Sequence, residues 1–288
     1  MLFFILLSKL PLWLLYRIAD FLYFLMYYFP GYRKKVVYEN LRNSFPEKSE
    51  KELNQIAKQF YANLADVSIE TLKILGMSKK EIQKRVRFDN IDLPHQYLDK
   101  GQSIIVLTGH QCNWEWLLLG SSVECRYPID AVYKPLHNSF MNKLVFKMRS
   151  HFGARPLAMK DVFRSIVRNK TETRALAMVA DQTPAGGEIQ YFTKFLNRNS
   201  GFFVGSDKIA GYTDFPVLFL DMRRMKRGYY EARFYPVKVT TDSTIEFPVV
   251  EEYAHLLEAS ILQRPGDWLW SHRRWKHTEK KAKKNYEL

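Results

Sequence analysis

The chain opens on an apolar stretch and then alternates between helical and strand-like hydrophobic patterns. Residues 2–29 are dominated by Leu, Phe, Tyr, Ile and Trp, with charge only at Lys9, Arg17 and Asp20. Further on, Leu53, Ile56, Phe60, Leu64 and Val67 recur at helical spacing behind Ser49-x-x-Glu52. That signature of a capping box, repeated at Ser78-x-x-Glu81, predicts two helix starts. The continuous apolar runs Ser103-Ile-Ile-Val-Leu-Thr108 and Ala175-Leu-Ala-Met-Val-Ala180 predict buried strands, ending at Gly109 and at Asp181-Gln182. Residues 129–133 predict another strand. Residues 161–168 predict a helix with Phe163, Ile166 and Val167 inward. Asn113 is placed to cap a helix through Leu119. A Gly-containing loop after Gln182 leads to a helix around 202–211, and Phe215–Leu220 and Tyr229–Val239 pair as strands. Strands alternating with helices predict an α/β fold with a mixed central sheet flanked by helices. Functional groups in such sheets gather beyond the C-terminal ends of strands, where His110 and Asp181 both lie.

The N-terminal segment changes the picture from a plain globular chain. It has no small-residue cleavage site of a signal peptide. Its ten aromatic residues suit a membrane interface, and Arg17 and Asp20 are spaced to pair on one helix face. Lys9 is placed to snorkel. A single tilted span and a helix lying in the membrane surface both fit, and so does a buried helix of a soluble protein. Arg33, Lys34 and Lys35 follow directly and favour a cytoplasmic side for the bulk of the chain. The expected organisation is residues 1–30 as a membrane anchor or interfacial helix and 31–288 as one cytoplasm-facing domain. The net charge of +14 favours acidic partners such as anionic lipid headgroups. No helix-turn-helix, zinc knuckle or basic–aromatic RNA motif supports nucleic acid. Two cysteines, Cys112 and Cys125, are too few for a disulfide framework and fit a reducing compartment.

The chemistry is concentrated in His110-Gln-Cys-Asn-Trp-Glu115. A histidine just past a strand can direct its imidazole into a cleft and take a proton from an alcohol, given a carboxylate to fix its tautomer. Five residues apart on one helix, His110 and Glu115 would face apart; the pairing works if His110 sits on the turn and Glu115 in the first helical turn. An ordinary satisfied His and Glu fit the same spacing. Cys112 as nucleophile is disfavoured because neighbouring turn residues point apart. A His-Glu-x-x-His zinc spacing is absent. With no serine nucleophile in the pattern, the attacking group is the substrate's own hydroxyl.

Several motifs in order resemble the late (lauroyl/myristoyl) acyltransferases of lipid A biosynthesis, of the His-x4-Asp/Glu type. They are Asn40-Leu-Arg-Asn-Ser-Phe-Pro-Glu47, Gly109-His-Gln-Cys-Asn-Trp-Glu-Trp116, Tyr133-Lys-Pro135 with Asn138, Arg149 with Phe152-Gly153, Asp181-Gln182, and Trp268-Leu-Trp-Ser-His-Arg-Arg-Trp-Lys276. Lys134 stands where the family usually has Arg, and a point charge does not reproduce the Arg fork. The resemblance implies a glycerolipid-acyltransferase-like fold and acyl transfer from acyl carrier protein, or acyl-CoA, to a hydroxyl of a lipid A precursor at the inner membrane. It implies His110 as general base and Glu115 as its partner; a cation should stabilise the thioester oxyanion, and Arg149 is the candidate, with a surface Arg as the alternative. Lys134, Asn138, Asp181 and Gln182 are the candidate substrate-binding residues, with a solvated lysine as the alternative for Lys134 and an ordered loop or a structural cap as the alternatives for Asp181. No cofactor or metal is implied. For His272, Arg273 and Arg274, packing beneath the site is the expectation. The basic tail from Lys276 to Lys284 reads as a solvated end that adds attraction to anionic lipid. An acyltransferase for another bacterial lipid, such as an aminolipid or glycolipid, and a non-catalytic basic peripheral membrane protein are the competing readings.

Overall fold

A computed structural model describes residues 2–29, 31–184, 188–239 and 244–277. The chain begins with helices α1 (Leu2–Lys9), α2 (Leu12–Tyr28), α3 (Lys34–Ser44) and α4 (Glu50–Lys73). Four helix–strand units follow: α5 (Lys79–Arg85) and β1 (Val86–Phe88), α6 (Asp92–Leu98) and β2 (Ile104–Thr108), α7 (Trp114–Glu124) and β3 (Ile129–Tyr133), α8 (Ser139–Arg149) and β4 (Arg155–Ala158). Helix α9 (Val162–Arg168) then leads into β5 (Ala175–Val179). A hairpin of β6 (Tyr191–Phe195) and β7 (Arg198–Phe202) precedes α10 (Gly205–Thr213). The long strands β8 (Val217–Lys226) and β9 (Tyr229–Pro236) and helix α11 (Pro248–Gln263) complete the elements.

Seven strands form one sheet in the order β1-β9-β8-β2-β5-β3-β4, parallel throughout except for the β8–β9 pair. The expected mixed sheet flanked by helices is present. Strand β2 lies centrally, with Ile105 and Leu107 buried on one face and Ile104 and Val106 on the other. Burial on both faces explains why β2 and β5 are continuous apolar runs instead of alternating ones. In the β2–β5 register Thr108 lies opposite Val179, so Gly109-His110 and Ala180-Asp181 leave the sheet side by side.

Both expected helix starts are present, one with a complete capping box and one with half of it. Ser49 and Glu52 form a reciprocal capping box, and Leu53, Ile56, Phe60 and Val67 are buried along α4. At Ser78 the side chain accepts from Glu81 N, while the Glu81 carboxylate binds Arg85. The helix expected near 202 begins at Gly205 because Arg198–Phe202 pair with β6. In α9 the inward residues are Val162 and Ile166; Phe163 and Val167, expected inward, are 45% and 61% exposed. The i, i+4 pair that meets the sheet is set one residue, about 100°, from the expected stripe.

The N-terminal segment is not one helix. It breaks at Leu10-Pro11, and no described helix is long and apolar enough to cross a membrane. Proline has no N–H to continue α1, so Pro11 instead starts α2. The single-span expectation is therefore not met by these helices. Helix α2 buries Leu12, Leu15, Ala19 and Tyr27 within the core clusters, while Trp13 is 68% exposed and Phe21, Phe24 and Phe29 also face outward. Arg17 and Asp20 approach to 3.8 Å on the surface. Asp20 also binds Arg227 at 2.7 Å, and Arg227 grips the buried Asp66 of α4.

Glu70 of α4 is fully buried beneath this junction. It accepts from Tyr16 Oη of α2, Asn113 Nδ2 and Tyr230 Oη of β9, each at 2.7 Å, and burial pushes its carboxyl pKa up. Its backbone carbonyl accepts from Trp116 Nε1 at 2.9 Å. A Glu70→Ala change orphans three buried donors at once. We expect it to destabilise the fold by roughly 3 kcal/mol or more, measured by denaturant unfolding, whereas Glu47→Ala on the surface leaves the midpoint unchanged.

Candidate active site

The turn after β2 carries His110. Gly109 is needed there because a Cβ would lie 2.6 Å from Leu257 Cδ1 of α11, a side chain fully enclosed in the core. Cys112 then takes a positive φ of 49°, which turns the chain into α7. Asn113 caps that helix, its side chain accepting from Trp116 N at 2.9 Å. The Cys112 thiol points inward to the Met222 carbonyl at 3.3 Å, and burial raises its pKa well above the usual thiol range. It is not presented as a nucleophile.

His110 Nδ1 lies 2.5 Å from Asp181 Oδ1, and its backbone N–H donates to Asp181 Oδ2 at 2.8 Å. Trp268 Nε1 donates to the same Oδ2 at 2.7 Å. Asp181 is 2% exposed and the His110 side chain 17%. Burial alone would raise the Asp181 pKa; the His110 imidazole, its two hydrogen bonds and the Trp268 indole outweigh that and hold it down to about 2. An ionised Asp181 places the proton on His110 Nδ1 and leaves Nε2 as the basic atom. Gln182 Nε2 sits 3.2 Å from His110 Nε2, and Trp114 packs edge-on to the imidazole at 5.0 Å.

The expected His110–Glu115 pairing is replaced by this His110–Asp181 pairing. Glu115 lies in the first turn of α7 and reaches across to α8, where Arg149 binds both its oxygens at 3.0 and 2.6 Å. Each charge complements its helix, acid at an N-terminus and base at a C-terminus. Burial would lower the Arg149 pKa, but Glu115 overrides it and holds the guanidinium protonated. Asn138 caps α8 by accepting from Met141 N at 2.9 Å, and Lys134 is exposed. These two substrate-binding expectations are therefore not brought against His110 by any hydrogen bond among the described residues.

The C-terminal block forms the back wall. Gln111 and Trp268 make an antiparallel bridge, and Leu269 N donates to the His110 carbonyl at 3.1 Å. Trp268, Trp270 and Arg274 are buried, in keeping with a packing role; Arg273 is exposed. Arg274 lies 4.4 Å over the Phe202 ring, and burial pushes its pKa down to about 10 against the pull of Asp181. Asn40 Nδ2 of α3 donates to the carbonyls of Trp270 and His272 at 2.9 and 3.0 Å, so the first and last sequence motifs meet here. The indole of Trp268 as a donor to Asp181 was missed from sequence, as was Glu70 under the turn. Glu70 carried a signal: it sits three residues after Val67, on the apolar phase of α4.

A histidine at the carboxyl end of a mixed sheet, with a buried carboxylate behind its Nδ1, is an arrangement that can take a proton from a hydroxyl. The chain belongs to the bacterial lipid A biosynthesis acyltransferase family, whose model matches residues 1–277. It is 22% identical over 248 residues to the lipid A biosynthesis acyltransferase of Haemophilus influenzae, covering 80% of this chain and 76% of that protein. It is thus an acyltransferase of lipid A biosynthesis, which sets aside the non-catalytic reading.

His272 offers a pH test of the block that backs the site. Burial lowers its pKa from 6.5 to about 4, against the pull of Asp181. The unfolded chain then binds the extra proton first, so this contribution to stability is full above pH 6.5 and is lost as pH falls through 4. We expect His272→Asn to flatten the acid decline across that window by on the order of 2 kcal/mol, measured as unfolding free energy against pH.

Proposed function

We propose that this enzyme moves a fatty acyl chain from acyl carrier protein, or acyl-CoA, to a hydroxyl of a lipid A precursor, with His110 Nε2 as general base. The observation that carries the reading is the Asp181 carboxylate behind Nδ1. It fixes the tautomer in which Nε2 accepts a proton. The acceptor hydroxyl gives its proton to Nε2 as its oxygen forms a bond to the thioester carbonyl carbon. The tetrahedral oxyanion collapses, the C–S bond breaks, and the departing thiolate takes the proton back from the imidazolium. Arg149 is the cation for the oxyanion, held by Glu115 through Nε and Nη2 and presenting its remaining Nη1 edge. Gln182 lies where an acceptor hydroxyl would approach Nε2, and Lys134 suits an acidic headgroup. Residues 1–30 form an interfacial anchor and 31–288 the catalytic domain, facing the cytoplasm at the inner membrane. The outward aromatic face of α2 beside Lys9 and Arg17 supports that reading.

The partner of His110 is tested by labelled acyl transfer into a lipid A precursor in membranes bearing each variant. His110→Ala is expected to lose about a thousandfold in kcat. Asp181→Asn, which favours the wrong tautomer, is expected to lose on the order of a thousandfold, with Asp181→Glu recovering part of it. Glu115→Gln, which acts through Arg149, is expected to lose only about tenfold. Wild-type rates in His110→Ala would end the general-base assignment. A loss in Glu115→Gln greater than in Asp181→Asn would return the partner role to Glu115.

A further inference from the structure

Helix α9 turns an unusual face to solvent. Met159, in the tight turn leading into it, and Phe163 and Val167 at four-residue intervals are all exposed, forming an apolar stripe. One residue on from each stand Lys160, Arg164 and Arg168, also exposed, and Lys170 extends the row. Asp161 is the one acidic residue in 159–170, and it meets Arg164 only loosely at 3.6 Å. Tyr212 of α10, 63% exposed, packs edge-on to Phe163 at 6.3 Å and widens the apolar stripe. Apolar side chains paired with a row of cations fit an acidic amphipathic helix of a partner protein.

The position of the face suits a partner that must reach the site. Val162 and Ile166 of α9 pack with Ile105, Leu107 and Leu176 on one side of the sheet. Leu12, Leu15 and Ala19 of α2 lie with Ile104, Val106 and Leu218 on the other, while Tyr27 at the end of α2 and Val37 and Leu41 of α3 share the α9 side. The Met159 end follows β4, whose last residue Ala158 is in register with Tyr133 at the end of β3. These parallel strands finish at the edge where His110 and Asp181 emerge. A partner seated on α9 is thus at the correct end of the sheet to send a flexible acyl-bearing arm into the site.

We infer that Met159, Phe163, Val167 and Tyr212 with Lys160, Arg164 and Arg168 dock the acidic carrier protein that presents the acyl thioester. This rests on the carrier-protein donor proposed above. The test compares wild type with Phe163→Ser and with Arg164→Glu/Arg168→Glu, using one fatty acyl group on acyl carrier protein and on coenzyme A. For the carrier-protein donor, KM is expected to rise at least about tenfold in both variants with kcat unchanged. With the coenzyme A donor the variants are expected to match wild type. Added salt raises the carrier-protein KM of wild type and has little effect on the charge-reversed variant. An unchanged carrier-protein KM overturns the docking face, as does an equal loss with both donors. Loss of binding to phosphatidylglycerol vesicles with the carrier-protein KM intact assigns the face to lipid and also overturns it. A wild type that uses acyl-CoA but not the carrier-protein donor rejects the donor reading itself, a result separate from these.

Discussion

The carboxylate of Asp181 is the point on which the site depends. It closes the end of β5, and its two oxygens take the imidazole N–H and backbone N–H of the turn after β2 and the indole N–H of Trp268. Three segments far apart in sequence are thereby fixed to one buried charge. Hydrogen bonds to an ionised group are worth about 1.5–3 kcal/mol each, and the same burial makes the charge costly if a donor is lost. The β2–β5 register is what makes the geometry possible. With Thr108 opposite Val179, the residues two beyond each strand emerge together. The juxtaposition of His110 and Asp181 is a consequence of strand order.

A second constraint acts from below. Glu70 ties Tyr16 of α2, Tyr230 of β9 and Asn113 to one carboxylate, while Asn113 caps α7 through its other side-chain atom. The break between the histidine turn and the helix bearing Glu115 is therefore held by side chains from four elements. The C-terminal block is clamped in the same manner. Asn40 holds the Trp270 and His272 carbonyls, Phe45 packs at 5.6 Å against the Trp270 ring, and Asn63 of α4 holds the Gly266 carbonyl and Asp267. Chain ends that look unrelated in sequence are one unit in the fold.

The sheet was legible because β2 and β5 are buried on both faces and so appear as unbroken apolar runs. His110 was legible because it follows such a run at a glycine. Its partner was not. Sequence distance favoured Glu115, five residues away, over Asp181, seventy-one away; only the lateral order of parallel strands decides between them. Of the residues expected inward on α9, Ile166 is buried and Phe163 and Val167 are not, because 162/166 and 163/167 are both apolar pairs at helical spacing. Packing selects Val162 and Ile166, leaving the other pair outward beside cations. The break at Pro11 is legible from the proline itself, which lacks the N–H that would continue α1.

Helix α2 is apolar on two faces, and the two have different partners. Leu12, Leu15, Ala19 and Tyr27 enter the protein core, so the helix is an integral part of the fold. Trp13, Phe21 and Phe24, with Phe29 at the C-cap, face outward, and Phe24 packs on Tyr28, which is itself exposed. The polar edge is anchored too, through Asp20 to Arg227 and on to Asp66. A tether that only held the enzyme near lipid would not need to be built into the core. Because Tyr16 of this same helix reaches Glu70, the surface suited to lipid and the turn bearing His110 share one rigid framework.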